Sequence, residues 1–223
     1  MVIFCSFLFL PKKMVLEACV ETFEEAVLAE KRGADRIELC GNLQVGGLTP
    51  DALLVLKTSS FLNIPVNVMI RPREGNFIYS TEEIETMKVQ INQAKEAGAA
   101  GLVFGLLTID NQIDVPNTRK LVTCASPLPV TFHKAIDLLS DPVEGVNVLK
   151  KITGIRRILT SGGKSTAVEG NTVIADMVDA AGEDVAIIAA GKVNSDNILK
   201  IKDLTGAEEF HGRRIVGDLN PTG

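Results

Sequence analysis

Short runs of apolar residues alternate along the chain with segments whose apolar residues recur every three or four positions. The short runs are rich in Val, Ile and Leu and predict strands, whereas the longer segments predict helices. The eight predicted strands are Val15–Val20, Asp35–Cys40, Pro65–Ile70, Gly101–Gly105, Pro129–His133, Arg156–Thr160, Val185–Ala189 and Glu208–His211. The clearest helix is Thr81–Ala97, which begins with a capping box at Ser80–Glu83. This alternation indicates a parallel sheet, either a closed barrel or a doubly wound sheet.

The same residue type precedes every second predicted strand, and this repeat favours the barrel. Strands two, four, six and eight are each preceded by a glycine, at Gly33, Gly98, Gly154 and Gly206. Each glycine fits the left-handed position at the end of a helix. Matching entries on alternate strands suit the alternating layers of a barrel interior. The Gly-x-Gly-x-x-Gly fingerprint of a dinucleotide-binding sheet is missing after the first strand. We therefore predict an α/β fold, a TIM-type (β/α)8 barrel over residues 14–212.

The two ends of the chain do not fit a complete barrel. Residues 1–13 contain the apolar run Met1–Leu10, which we interpret as an extension that precedes the domain. Residues 213–223 show no helical periodicity, so we expect a short irregular tail where the eighth helix would follow. A missing helix exposes apolar surface, and large exposed apolar patches usually mark interfaces. We expect the extension or a partner subunit to cover this surface, or else the chain to be unstable on its own, and we favour instability or oligomerisation over a stable monomer.

Composition and charge exclude several classes of function. Hydrophobic residues make up 46% of the 223 residues and aromatic residues only 4%, which suits an aliphatic parallel sheet covered by helices. The net charge is −5 and no long basic cluster occurs, so we expect no nucleic-acid partner. The run Met1–Leu10 is too short to cross a bilayer and lacks the basic region of a signal peptide. The four cysteines form no C-x-x-C pair or disulfide framework, which indicates a reducing compartment.

Two neighbouring strands carry the same pair of residue types near their carboxyl ends. The first contains Glu17 and Cys19, and the second contains Glu38 and Cys40. Residues two apart in a strand share a face, so all four side chains are predicted to point into the barrel. A pair of thiolates is a soft site that suits Cu(I) better than Mg²⁺ or Ca²⁺. The alternative is that both cysteines simply fill space in the core, as buried cysteines often do.

Polar residues follow most of the other strands, where the active site of a barrel enzyme lies. The candidate catalytic residues are Glu17, Glu38, Arg71, His133, Asp137 and His211. The candidate anion-binding residues are Arg73, Ser161, Gly162 and Gly163, because a guanidinium and backbone N–H groups can hold a phosphate or carboxylate. We expect Arg71, His133, Ser161 and His211 to surround one pocket. These residues support a second hypothesis, a barrel enzyme that acts on a small phosphorylated or carboxylated substrate.

Seven stretches of the chain together resemble the CutC copper homeostasis family. They are Glu17–Glu21, Gly33–Cys40, Gly46–Pro50, Val68–Arg73, Gly101–Gly105, Pro129–His133 and Leu159–Gly163. The likeness runs from about Leu16 to His211. The resemblance implies a TIM-type barrel, a cytoplasmic location, homo-oligomers and Cu(I) binding by the cysteines that match Cys19 and Cys40. No reaction is firmly attached to this family.

The chain departs from the family pattern in three places. The family tends to have a Pro-Gly-Gly-Gly run near the seventh strand, whereas this chain has Ala189–Lys192, which weakens the expectation of an anion cradle there. The family continues beyond His211 into a further loop and helix, and the run Met1–Leu10 is unlike the family.

Overall fold

Eight parallel strands close into one barrel in a computed structural model that describes residues 13–220. The strands are β1 (Val15–Val20), β2 (Arg36–Leu39), β3 (Val66–Met69), β4 (Gly101–Phe104), β5 (Val130–Phe132), β6 (Ile155–Thr160), β7 (Ala186–Ala189) and β8 (Glu209–Gly212). Each strand pairs with the next, and β8 pairs with β1 to close the ring. This arrangement confirms the predicted TIM-type barrel.

Seven α-helices lie within the described residues, one after each of the first seven strands. They are α1 (Phe23–Lys31), α2 (Ala52–Phe61), α3 (Thr81–Glu96), α4 (Val115–Ala125), α5 (Pro142–Leu149), α6 (Asn171–Ala181) and α7 (Ile198–Thr205). Short 3₁₀ helices at Leu43–Val45 and Lys134–Leu138 follow β2 and β5. None of the helices in residues 13–220 is long and apolar enough to span a bilayer.

Local sequence signals explain where these elements begin and end. The predicted capping box is present at α3, where the Ser80 hydroxyl accepts from the Glu83 N–H and the Glu83 carboxylate accepts from the Ser80 N–H. The glycines before the even-numbered strands all have positive φ: Gly33 at 90°, Gly98 at 86°, Gly154 at 109° and Gly206 at 69°. Glycine adopts this conformation without the steric cost that a Cβ brings.

Alternation along the strands separates the helix-facing core from the barrel interior. On β1 and β2, Ala18, Val20, Ile37 and Leu39 are fully buried in the cluster that joins the sheet to the helices. The residues between them point inward. Cys19, Cys40, Met69 and Val103 form a separate buried cluster inside the barrel. The first four strands thus place a small sulfur-rich cluster near the carboxyl-terminal mouth.

The described residues after β8 supply cover that the sequence did not reveal. Ile215 and Leu219 are 2% and 5% exposed and join the main core. The Arg32 guanidinium at the end of α1 donates to the Asp218 carbonyl, which holds the tail against this helix. The described part of the tail therefore packs on the core and against the end of α1. The predicted cover by Met1–Leu10 concerns residues outside the described range.

Candidate metal-binding site

Two cysteines and a carboxylate converge inside the barrel at the ends of β1 and β2. Cys19 lies opposite Glu38 in the strand register, and Cys40 follows one step beyond β2. One ligand atom from each of Cys19, Glu38 and Cys40 lies within 4.8 Å of the other two. The exposed fractions of these residues are 6%, 2% and 0%. The structure thus brings both cysteines and one of the two glutamates of the Glu-x-Cys pairs into one buried cluster.

His211 from β8 completes the cluster on the other side of β1. Its Nδ1 lies 2.9 Å from a Glu17 carboxylate oxygen, and its Nε2 lies 3.6 Å from a Glu38 oxygen. Oxygen or nitrogen atoms of Glu17, Glu38 and His211 lie within 4.8 Å of one another. Closure of the barrel brings His211 beside residues nearly 200 positions earlier, because β8 pairs with β1.

A buried ion network lies directly beneath these groups. The Arg36 Nε donates to Glu17 over 2.5 Å, and its Nη2 donates to Glu209 over 2.7 Å. Glu209 also accepts from Arg157 Nε over 3.0 Å, and Glu17 accepts from the Asn67 amide over 3.2 Å. Buried charges of this kind persist only when they are paired and hydrogen-bonded. The network holds Glu17 in place, and Glu17 in turn orients the His211 ring.

Burial and neighbouring charges have opposing effects on the pKa values of Glu17, Glu38 and His211. Burial alone would raise the pKa of Glu17, but Arg36 and His211 outweigh it and bring the pKa to about 2. Burial would lower the pKa of His211, but the Glu38, Cys19 and Glu17 side chains raise it well above its usual value. For Glu38, burial dominates and raises the pKa well above the usual range. The site therefore favours an imidazolium next to the thiols.

The two thiols differ in acidity because they interact with each other. A hydrogen bond with Cys40 lowers the pKa of Cys19, and with help from His211 it reaches about 5 despite burial. The same hydrogen bond, together with burial, raises the pKa of Cys40 well above its usual value. The Cys40 sulfur also lies 3.5 Å from a Glu38 oxygen. Cys19 is therefore the more acidic of the two thiols, and the Cys40 thiol donates to Glu38.

The loop between β2 and α2 covers the cysteines, and Arg71 holds this loop. The Arg71 guanidinium donates to the carbonyls of Val45 and Gly47 at 3.1 Å and to the Gly75 carbonyl at 2.9 Å. Gly47 has φ +84°, and a Cβ at this residue would lie 3.1 Å from the Cys40 sulfur. Most of the Arg71 N–H groups therefore donate to loop carbonyls. The sequence predicted Arg71 at the mouth but did not reveal this anchoring contact.

His133 lies at the mouth but apart from the cysteine cluster. Its ring packs on Phe77 with centroids 4.6 Å apart, and the Arg71 guanidinium carbon lies 5.0 Å from the same Phe77 ring. His133 Nδ1 accepts from the Ala135 N–H over 3.2 Å, so the ring proton resides on Nε2. Burial, with a smaller effect of Arg71, lowers the pKa of His133 to about 3. The structure thus assigns His133 a neutral ring, in contrast to His211.

The glycine loop after β6 holds a carboxylate from the protein itself. Asp137 accepts from the N–H groups of Ser161 and Gly163 at 3.0 and 3.1 Å and from the Ser161 hydroxyl at 2.9 Å. It also accepts from the Thr160 hydroxyl at 2.5 Å. The sequence suggested an external anion for Ser161–Gly163, but Asp137 already makes the hydrogen bonds that such an anion would need. Ser161 consequently faces Asp137, and the expected ring of Arg71, His133, Ser161 and His211 divides into separate groups of contacts.

Arg73, the other predicted anion ligand, is engaged in its own loop. Its guanidinium pairs with Glu83 at the start of α3 and donates to the Asn76 and Ile78 carbonyls at 3.0 and 2.7 Å. These contacts stabilise the connection between β3 and α3. Nothing in this arrangement directs Arg73 at the cysteine cluster.

Sequence reasoning missed Met69 as a member of the site. Met69 occupies the inner face of β3 and packs in the same buried cluster as Cys19 and Cys40. Its thioether is a soft donor of the kind that Cu(I) accepts. Strand parity would have identified it, because Met69 precedes Arg71 by two residues on the inner face.

The sequence of this barrel matches a known family over most of its length. The model of the CutC family matches residues 14–216. The chain belongs to the CutC family. A human protein named copper homeostasis protein cutC homolog is 44% identical over 197 residues, which is 88% of this chain and 72% of the human protein. A CutC-family protein of Histophilus somni is 41% identical over 198 residues, or 89% of this chain and 81% of that protein.

Solved structures agree with this membership. A CutC protein from Streptococcus agalactiae superposes with a TM-score of 0.86 at 34% identity, over 91% of this chain and 99% of the other. A deoxyribose phosphate aldolase from Aeropyrum pernix has a TM-score of 0.67 at 14% identity, over 92% of this chain and 87% of the aldolase. The aldolase likeness shows only that the barrel fold is shared.

Proposed function

We propose that this protein acts in copper homeostasis and binds Cu(I) through Cys19 and Cys40. The observation that carries the proposal is the convergence of both sulfurs and a Glu38 oxygen within 4.8 Å in a buried site. Two sulfurs that bind one metal ion in line are about 4.6 Å apart, twice a metal–sulfur bond of about 2.3 Å, and the limit of 4.8 Å for these atoms is close to that separation. The named function of the human relative supports copper as the metal.

The chemistry of the surrounding groups fits a monovalent soft cation. Cu(I) bound by two thiolates carries a net negative charge, and a positive group beside it stabilises that charge. His211 provides this group, since its pKa is raised by its carboxylate and thiol neighbours. The Glu38 Oε1 atom is buried without a hydrogen-bond partner among the described residues, so it remains available to a bound cation. Met69 offers a third soft donor in the same cluster.

A competition titration tests the copper site directly. Reduced protein is titrated anaerobically with Cu(I) against a chromogenic chelator. The double variant Cys19→Ala with Cys40→Ala is expected to lose affinity by more than about a hundredfold, because metal sites depend strongly on their direct ligands. Cys124→Ala is the matched control, because Cys124 lies near Lys88 and Asn92, away from the mouth. Equal affinity of the double variant and the control would refute the proposal.

The role of the thioether has its own matched pair of variants. Met69→Leu removes the sulfur that packs on the cysteines, whereas Met87→Leu removes a sulfur that is buried in the helix-facing core. If Met69 binds Cu(I), Met69→Leu lowers the affinity by about tenfold and Met87→Leu leaves it unchanged. Equal affinities of the two variants would limit the ligand set to the cysteines and their polar neighbours.

We propose further that the protein works in the cytoplasm as a homo-oligomer. Free, buried Cys19 and Cys40 suit a reducing compartment. Apolar side chains on α2 are exposed, with Leu53 at 74% and Phe61 at 60%, and such patches favour association. Light scattering of the purified chain tests the oligomer, and a monomeric mass at micromolar concentration would contradict it.

A second function, catalysis on a small anionic substrate, is supported by unpartnered donors around Phe77. Among residues 13–220, Arg71 Nε, His133 Nε2 and the Tyr79 hydroxyl are buried without hydrogen-bond partners. An anionic ligand could accept from such donors. Thermal shift at about 1 mM phosphate and carboxylate compounds tests this function, since a ligand of the native state raises the melting temperature. Tyr79→Phe should reduce the shift, and the absence of any shift would remove the support.

A further inference from the structure

A cationic cavity opens at the carboxyl-terminal mouth directly beside the cysteine site. Its volume is about 490 Å³, and it lies between the loops that follow β7 and β8. The polar side chains that line it are Lys134, Lys192, Asn194, His211, Arg213 and Arg214. Among the described residues, four lysine or arginine side chains and no carboxylate line this cavity.

Two of these cations have no partner within the part of the chain that the structure describes. Lys134 pairs with Asp137 at 3.6 Å, and Arg214 pairs with Asp218 at 3.7 Å. The side chains of Lys192 and Arg213 make no hydrogen bond or ion pair with residues 13–220 and are exposed. The backbone at Lys192 has φ +57°, a conformation that few non-glycine residues adopt. The loops after β7 and β8 thus each present one positive charge at the cavity that has no partner among residues 13–220.

The cavity also leads to the metal ligands. A neighbouring cavity of about 290 Å³ is lined by Cys19 and shares Arg213 and Arg214 with the larger one. Two carboxylates, Glu25 and Asp218, line this smaller cavity. The positive charge is therefore greater in the larger cavity, which His211 lines. A molecule held at Arg213 is therefore positioned at the entrance of a space that Cys19 lines.

We propose that the cationic cavity binds the carboxylates of a small anionic thiol that delivers Cu(I) to Cys19 and Cys40. This inference rests on the proposed copper function and names the form in which the metal arrives. Cu(I) prefers thiolate ligands, so in a reducing compartment it travels as a thiolate complex. A carrier that also bears carboxylates is negatively charged and is attracted by Lys192 and Arg213.

The transfer is a ligand exchange without redox change. Two carrier sulfur–copper bonds break while bonds from Cu(I) to the Cys19 and Cys40 sulfurs form. Each cysteine that enters as a thiol gives up its proton, and the leaving thiolates take up the same number of protons. Copper remains Cu(I) throughout, so no oxidant or reductant is needed.

The test varies two things: the charge of the thiol that carries Cu(I), and the charge of the side chains that line the cavity. Cu(I) is supplied anaerobically either as its glutathione complex, which is anionic, or as its 2-mercaptoethanol complex, which lacks carboxylates. The initial rate is obtained from protein-bound copper after rapid gel filtration. The variant K192Q/R213Q removes the two unpaired cavity charges. The matched control K151Q/R156Q removes one lysine and one arginine that are exposed at the other end of the barrel, near the start of β6.

We expect K192Q/R213Q to accept Cu(I) from glutathione about tenfold more slowly than the parent protein, and the difference to shrink at high salt. From 2-mercaptoethanol the variant and the parent should react at equal rates, and K151Q/R156Q should match the parent with both carriers. Equal rates of K192Q/R213Q and the parent with glutathione would overturn this inference and leave the copper site intact. A parent protein that takes Cu(I) from neither carrier would instead refute the proposed function itself.

Discussion

The buried arginine beneath the site should be essential for stability, and Arg36→Met tests this. Arg36 is 5% exposed and bridges Glu17 at 2.5 Å and Glu209 at 2.7 Å. Removal of one partner from a buried ion pair costs about 3–5 kcal/mol, because it leaves a buried charge without compensation. Glu17 keeps its contact with His211 and Glu209 keeps Arg157. These remaining contacts put the expected loss near the lower end, at about 3 kcal/mol.

Urea unfolding followed by circular dichroism measures this loss, and a thermal melt provides a second estimate. For a chain of this size, about 3 kcal/mol corresponds to a decrease in Tm of roughly 6–12 °C. The control is Lys88→Met, which breaks an exposed pair with Glu85 at 2.6 Å and should cost at most about 0.5 kcal/mol. If Arg36→Met destabilised the protein no more than Lys88→Met, the network beneath the site would not be a major source of stability.

Three further predictions follow from the loops and the neutral histidine. The pKa of His133 is about 3 in the folded state and about 6.5 in the unfolded chain, so acid protonates the unfolded state first and favours it. His133 by itself should therefore contribute a loss of about 2 kcal/mol of stability from pH 7 to pH 5. Urea titrations at both pH values should show a pH-dependent loss that is smaller by this amount in His133→Gln than in the parent. Asp137→Ala frees the N–H groups of the glycine loop, so about 10 mM phosphate should raise the Tm of this variant and not of the parent. An equal rise in both proteins would show that the Asp137 carboxylate does not keep phosphate from these N–H groups. Gly162→Ala would place a Cβ 2.3 Å from the Gly170 carbonyl oxygen, so it should lower the free energy of unfolding by more than about 3 kcal/mol. The control Gly182→Ala places its Cβ where no atom lies within 4 Å and should lower it by about 1–2 kcal/mol, from backbone strain alone. Denaturant melts measure both losses.

Much of the fold could be predicted from local patterns, because each signal acts within a few residues. Apolar runs located all eight strands to within a residue or two, and the capping box and Gly98 located both ends of α3. Strand parity also predicted that Cys19 and Cys40 share the barrel interior, since side chains alternate with a period of two whatever the tertiary structure.

The partners of the polar residues were decided only by the tertiary structure. Asp137 fills the glycine loop, 24 positions along the chain from Ser161, and Glu17 orients His211 from 194 positions away. A sequence pattern assigns a polar side chain to a face, but not to one of several partners of equal chemistry across the barrel. That choice depends on the strand register and on barrel closure, which set the distances between residues that are far apart in the chain.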